Sequence, residues 1–140
     1  MNTLSLDILK IGEVARLSQL PIKTIRYYED LGLLAPTVER SESGYRLFSP
    51  QVLQRLAFIK RAQGLGLRLD EIQDILALYN EGQTPCPEIK QQLQTKLQAI
   101  SAQIAALEAL QTELSELLDS WQETPAITQF VQSICPNIQK

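Results

Sequence analysis

The chain has 140 residues, 44% of them hydrophobic and 21% charged, with a net charge of −3 at pH 7. That length suits a small domain plus an extension, and the composition is that of an ordered chain rather than a disordered one. No apolar run approaches the roughly 18 residues of a membrane span, and Met1 to Lys10 lack the basic start and apolar segment of a signal peptide, so the expected location is cytoplasmic.

Histidine is absent and there are two cysteines, Cys86 and Cys135. The lack of histidine removes the commonest general base and the commonest metal ligand. No nucleophile–base pair and no phosphate-cradling glycine loop is visible, so neither an enzyme nor an organic cofactor is expected. The charge is unevenly spread. Between Pro21 and Arg61 stand seven basic residues (Lys23, Arg26, Arg40, Arg46, Arg55, Lys60, Arg61) and four acidic ones, whereas from Gln83 onward three lysines face six acids. A basic front and an acidic tail suit a local DNA footprint, although ordinary solvated charge gives the same counts.

In chain order, Ile11 to Leu17 carries apolar residues at helical spacing. Ser18-Gln19-Leu20-Pro21 interrupts it, and a second short helix over Ile22 to Leu31 ends at Gly32, a natural helix stop. Two short helices around a tight turn outline a helix-turn-helix. Val38 to Gly44 is polar, and Tyr45 to Phe48 has strand propensity, which predicts a small β-hairpin, or wing, with its tip near Ser41 to Ser43. Ser49-Pro50 supplies a cap and a first-turn proline for a helix over Gln51 to Gln63, broken by Gly64 and Gly66. Leu69 to Tyr79 is amphipathic, with a weakly capped start at Arg68.

After a linker at Asn80 to Pro85, Pro87 opens the longest element, running to about Trp121. Leu93, Leu97, Ile100, Ile104, Leu107, Leu114, Leu118 and Trp121 recur at alternating intervals of four and three, with Gln111 in the vacant position. This is a heptad seam. A helix of roughly 35 residues is about 50 Å long and needs a partner for its stripe, most simply the same helix of a second subunit. The residues after it are too few for a separate ligand-binding domain. The expected fold is therefore mostly α, a winged helix-turn-helix over residues 9–80 followed by a coiled-coil dimerisation helix over 84–121 and a tail over 122–140.

Lys10-Ile11-Gly12-Glu13-Val14-Ala15, Lys23-Thr24-Ile25-Arg26-Tyr27-Tyr28-Glu29, Gly32-Leu33-Leu34 and Gly44-Tyr45-Arg46 occur in order and with matching spacing. In these motifs the chain resembles the MerR family of bacterial regulators, over about Leu9 to Trp121. The resemblance implies an antiparallel coiled coil between two long helices and a homodimer whose two heads meet successive major grooves of a palindromic promoter element. It implies, too, that effector binding makes the protein kink and untwist the DNA, realigning promoter elements for RNA polymerase. By position, Lys23, Thr24 and Arg26 fall on the recognition helix, where they can meet phosphates or a guanine edge. Tyr27 and Tyr28 are both candidates, one for the core and the other for a phosphate. Arg40, Tyr45 and Arg46 on the wing, with Arg16, Lys60 and Arg61, complete the expected DNA contacts. The chain departs from the family at Gln19, where the turn usually has Gly.

The two cysteines bracket the long helix. In an antiparallel pair, Cys86 of one subunit meets Cys135 of the other, which resembles the metal-sensing branch of the family. A Cys at the position of Cys86 is typical there of sensors of divalent ions, and Cys135-Pro136 with Ile138 resembles the ending of many of their metal-binding loops. Two thiolates without imidazole favour soft ions: Hg2+ foremost, then Cd2+, Pb2+ or Zn2+, the last of which normally takes four ligands. Trp121 and Ser120 stand where mercury and zinc sensors of the family have a further Cys. The alternatives are a thiol-redox sensor on the same scaffold, through a disulfide between Cys86 and the partner's Cys135, and a coiled-coil adaptor that binds no DNA.

Overall fold

The computed structural model describes residues 8–124, 126–130 and 133–139. The reading of the N-terminus falls mostly on residues 1–7, outside that set. The chain forms two units, one ending at Leu93 and the other beginning at Gln94.

The first unit contains β1 (Leu9–Lys10), α1 (Ile11–Ser18), α2 (Ile22–Asp30), β2 (Val38–Arg40), β3 (Arg46–Phe48), α3 (Val52–Gly64), α4 (Leu69–Asn80) and the opening turns of α5 (Cys86–Asp119). The strands form an antiparallel sheet in the order β1-β3-β2, with Phe48 opposite both Leu9 and Val38. The hairpin joining β2 to β3 stands where the wing was expected. Ser41 N–H donates to the Tyr45 carbonyl at 2.8 Å and Gly44 N–H to the Ser41 carbonyl at 2.9 Å, and Gly44 has φ +88°. Strand β1 was not expected; two residues carry no readable alternation.

Val14 of α1, Ile25 of α2, Phe48 of β3, Val52, Leu56 and Ile59 of α3 and Ile72 and Ile75 of α4 are fully buried together. Ile89 and Leu93, on the first turns of α5, pack against the same core. The apolar spacing on each short helix is thus used on one face only.

Gly32 ends α2. At φ +80° it occupies the left-handed region that favours glycine, and it lets two hydrogen bonds close the helix, Gly32 N–H to the Glu29 carbonyl at 3.0 Å and Leu33 N–H to the Tyr28 carbonyl at 3.0 Å. This pair is the Schellman pattern, and Tyr28 and Leu33, both buried, are its apolar contact. Gly66 closes α3 the same way, with Gly66 N–H on the Gln63 carbonyl and Leu67 N–H on the Ala62 carbonyl. That stop comes later than expected, because Gly64 still belongs to the helix.

Two helix starts differ from expectation. Ser49 and Pro50 do not begin α3. Ser49 N–H is bound to the Thr37 carbonyl at 2.9 Å and so remains with the strand pairing, while Gln51 takes the cap position without a side-chain bond. The start of α4 is better capped than expected. Glu71 reaches back to accept the Arg68 N–H at 2.8 Å, and the Arg68 guanidinium meets Asp70 at 3.1 Å. That pairing raises the Arg68 pKa and lowers that of Asp70.

The second unit contains the rest of α5, the short α6 (Ile127–Phe130) and a turn at 135–139. No residue of α5 is buried. Leu97, Ile100, Ile104, Leu107, Leu114 and Leu118 are each 47–68% exposed, and Leu110 beside them is also open. Among the described residues, no helix is long and apolar enough to cross a membrane.

Candidate nucleic-acid interface and thiol sites

Helix α2 sorts its residues by face. Ile25 and Tyr28 point into the core, and Lys23, Arg26 and Tyr27, at i, i+3 and i+4, are exposed on the other side. Thr24 is half-buried at the boundary. The two tyrosines separate cleanly: Tyr27 is 53% exposed and Tyr28 6%. The Tyr28 hydroxyl donates to Gln63 Oε1 at 2.6 Å. Burial, with Tyr27 adding to it, pushes the Tyr28 phenol above its ordinary pKa. Of the two candidates, Tyr28 is the one whose ring lies in the core, with its hydroxyl bound to α3. Tyr27 is the one left at the surface.

Glu29, half-buried near the end of α2, ties the hairpin to that helix. Arg46 Nε donates to Glu29 Oε1 at 2.6 Å, Arg46 Nη2 lies 3.7 Å from Asp30, and Arg40 Nη2 lies 3.7 Å from the same Glu29 oxygen. Arg40 also donates to the Gly44 carbonyl at 2.9 Å, bracing the hairpin turn. Arg40 and Arg46 are therefore engaged within the chain as well as basic. Tyr45 is exposed at the tip, with Lys10 Nζ 5.6 Å from its ring centroid, a favourable cation–π distance. Lys10, Arg16, Tyr45 and Arg46 border one surface depression. Lys10 was not among the expected contacts, and its place there depends on the β1–β3 pairing.

Lys60 and Arg61 are exposed in the last turns of α3 and border a separate cleft with Leu17 and Leu20. Arg55, counted in the basic stretch, does not contribute to the surface. It is 6% exposed, its Nε donates to the Leu33 carbonyl at 2.5 Å, and burial lowers its pKa. It supports the turn that follows α2.

Cys86 is exposed at the first residue of α5. It lines a cavity of about 360 Å³ with Arg55, Phe58, Ile75, Leu76, Tyr79 and Ile89. Cys135, in the second unit, is half-buried. Its N–H donates to Gln139 Oε1 at 3.0 Å and its carbonyl accepts from Ile138 and Gln139. Among the described residues, no three Cys, Asp or Glu side chains come together within one chain. Two thiols, Cys86 in the first unit and Cys135 in the second, are the cysteine donors among the described residues.

Comparison with known proteins matches residues 9–78 to the family model of the MerR HTH family regulatory protein and residues 53–117 to that of MerR, DNA binding. The transcriptional regulator HmrR of Rhizobium leguminosarum bv. viciae is 39% identical over 110 residues, covering 79% of this chain and 84% of that protein. The mercuric resistance operon regulatory protein of Bacillus cereus is 36% identical over 130 residues, covering 93% and 94%. Among solved structures, the regulator PbrR691 of Ralstonia metallidurans CH34 in complex with lead(II) superposes with a TM-score of 0.70 at 32% identity, covering 84% of this chain and 91% of that one.

Proposed function

Since the chain belongs to the MerR family of transcriptional regulators, which are not enzymes, we propose that it binds a palindromic promoter element as a homodimer and switches transcription on binding a thiophilic divalent metal ion. The observation that carries this reading is α5 itself: an apolar stripe left uncovered along the helix, with Cys86 at its first residue and Cys135 beyond its end. An exposed stripe of this length is expected to be covered, and a second α5 packed antiparallel in a coiled coil would cover it with identical heptads. In that pairing Cys86 of one copy approaches Cys135 of the other, giving two equivalent ion sites per dimer.

Residues 9–80 are the DNA-binding domain in this account, 84–121 the dimerisation helix and 122–140 the effector-binding tail. Lys23, Arg26 and Tyr27 present the recognition face of α2. Thr24 stands at its boundary. Arg16, Tyr45 and Lys10, with Lys60 and Arg61 at their separate cleft, supply charge and hydroxyl donors for the backbone. Arg40 and Arg46 hold the hairpin against α2 through Glu29. A bound ion bridges two chains, and α5 carries the change to the two heads, which distort the promoter for RNA polymerase.

Hg2+ is the favoured ion, ahead of Cd2+, Pb2+ and Zn2+. Two thiolates satisfy its linear coordination, whereas Zn2+ normally takes four ligands. A mercuric resistance operon regulatory protein is among the relatives matched along almost their whole length. Titration of the reduced protein with each ion, followed by thiolate-to-metal charge-transfer absorbance, tests it. The expected result is a Hg2+ band saturating at about one ion per subunit and lost in Cys86→Ser and in Cys135→Ser. A band indifferent to Cys135→Ser, or none with any ion, overturns the ion site.

A further inference from the structure

We propose that Asn137 is a positioning residue whose side-chain amide fastens the tail to the end of α5 and so holds the Cys135 turn ready before an ion arrives. The proposal rests on the reading of Cys135 as an ion ligand.

Asn137 is 4% exposed, the one neutral polar side chain among the buried described residues. It uses both faces of its amide on one residue. Gln122 N–H donates to Asn137 Oδ1 at 2.8 Å, and Asn137 Nδ2 donates to the Gln122 carbonyl at 2.9 Å. The side chain thus pairs with the main chain as a neighbouring strand would, and it joins two points 15 residues apart. Gln122 lies three residues past the end of α5, and Asn137 lies two residues past Cys135.

A second amide closes the turn around the thiol. Gln139 Oε1 accepts the N–H of Ile134 at 2.6 Å and of Cys135 at 3.0 Å, while the Cys135 carbonyl accepts from Ile138 and Gln139 at 3.1 and 3.0 Å. The backbone on both sides of Cys135 is therefore held by neutral groups. A carboxylate at position 137 would bring a negative charge near the thiolate and would have no proton to donate to the Gln122 carbonyl. A leucine would fill similar space and make neither bond. A turn already closed has surrendered its freedom before the ion binds, so ordering it is not charged against ion affinity.

The test uses the full chain with Asn137→Asp and Asn137→Leu. Hydrogen exchange at the Gln122 amide is measured without metal, Hg2+ affinity by competition against a small-thiol buffer, and metal-free DNA affinity as a control for folding. The Gln122 amide is expected to lose protection in Asn137→Leu and to keep part of it in Asn137→Asp, whose carboxylate still accepts that N–H, while Hg2+ affinity falls in both by about 10-fold or more, the size typical of groups that orient a metal ligand. One ion per subunit and unchanged metal-free DNA affinity are expected to remain. Full protection in Asn137→Leu overturns the clamp. Protection lost with Hg2+ affinity unchanged overturns its positioning role. If the wild-type chain takes up no Hg2+, the ion reading fails and the positioning role with it, while the exchange data still decide whether the clamp exists.

Discussion

Arg46 Nε donates to Glu29 Oε1 across 2.6 Å, and this bond joins the first residue of β3 to the last turn of the helix that presents Lys23, Arg26 and Tyr27. Both side chains are about one-fifth exposed, so water competes with the bond only in part. Glu29→Gln and Arg46→Met should each cost about 1–2 kcal/mol in urea unfolding, and the double variant should cost less than their sum by at least about 0.5 kcal/mol. Glu29→Gln also removes a negative charge from the DNA-facing unit, which by charge alone would tighten DNA binding. The clamp predicts the opposite, a loss of affinity at fixed salt. A gain would show that the hairpin does not need this tie.

The adjacent tyrosines should behave differently. Tyr28→Phe removes the bond to Gln63 and should lower stability by about 1 kcal/mol with unchanged DNA affinity. Tyr27→Phe should leave stability within about 0.5 kcal/mol and weaken operator binding by about 5-fold, the value of one hydrogen bond near 1 kcal/mol. Thermal melts and a fluorescence-anisotropy titration on the same samples distinguish the two; reversed effects would reverse the assignment.

Gln19 has φ +60° and ψ +30° at the end of α1. A side chain there carries the left-handed penalty, offset in part by the greater unfolded freedom of glycine. Gln19→Gly should therefore stabilise by about 0.5–1 kcal/mol and raise Tm by about 2–5 °C. A lower Tm would mean that the Gln19 side chain makes a compensating contact.

The stripe on α5 should decide the oligomeric state. Ile104→Glu combined with Leu107→Glu places charge at two adjacent seam positions, both about half exposed or more in one chain. Sedimentation equilibrium should report a dimer for the wild type and a monomer for the double variant, with affinity for a palindromic site lost in parallel. A variant that stays dimeric would remove α5 from the interface.

Much of this was legible in the residues. Gly32 announced the end of α2 because the Schellman turn needs a residue that tolerates positive φ, and the apolar spacing of Ile11–Leu17 and Leu69–Tyr79 announced helices buried on one face. What was not legible depended on contacts distant in sequence. Whether Tyr27 or Tyr28 faces inward depends on the phase of α2 against α3, which places Gln63 opposite Tyr28. Arg55 read as surface charge because nothing local reveals that it reaches the Leu33 carbonyl, 22 residues away. The place of Lys10 beside Tyr45 was not legible because a two-residue strand has no periodicity. Asn137 was missed because its partner, Gln122, lies across the whole tail.

If each ion site is built from two chains, a mixed dimer of complementary variants reveals it. A Cys86→Ser chain and a Cys135→Ser chain, differently tagged and purified together, retain one Cys86 and one Cys135 on opposite subunits. The account predicts that each homodimeric variant shows no Hg2+ charge-transfer band, whereas the mixed dimer regains a band saturating at one ion per dimer. A mixed dimer as silent as its parents, beside a wild type that binds, would place both thiols of a site in one chain and contradict the account.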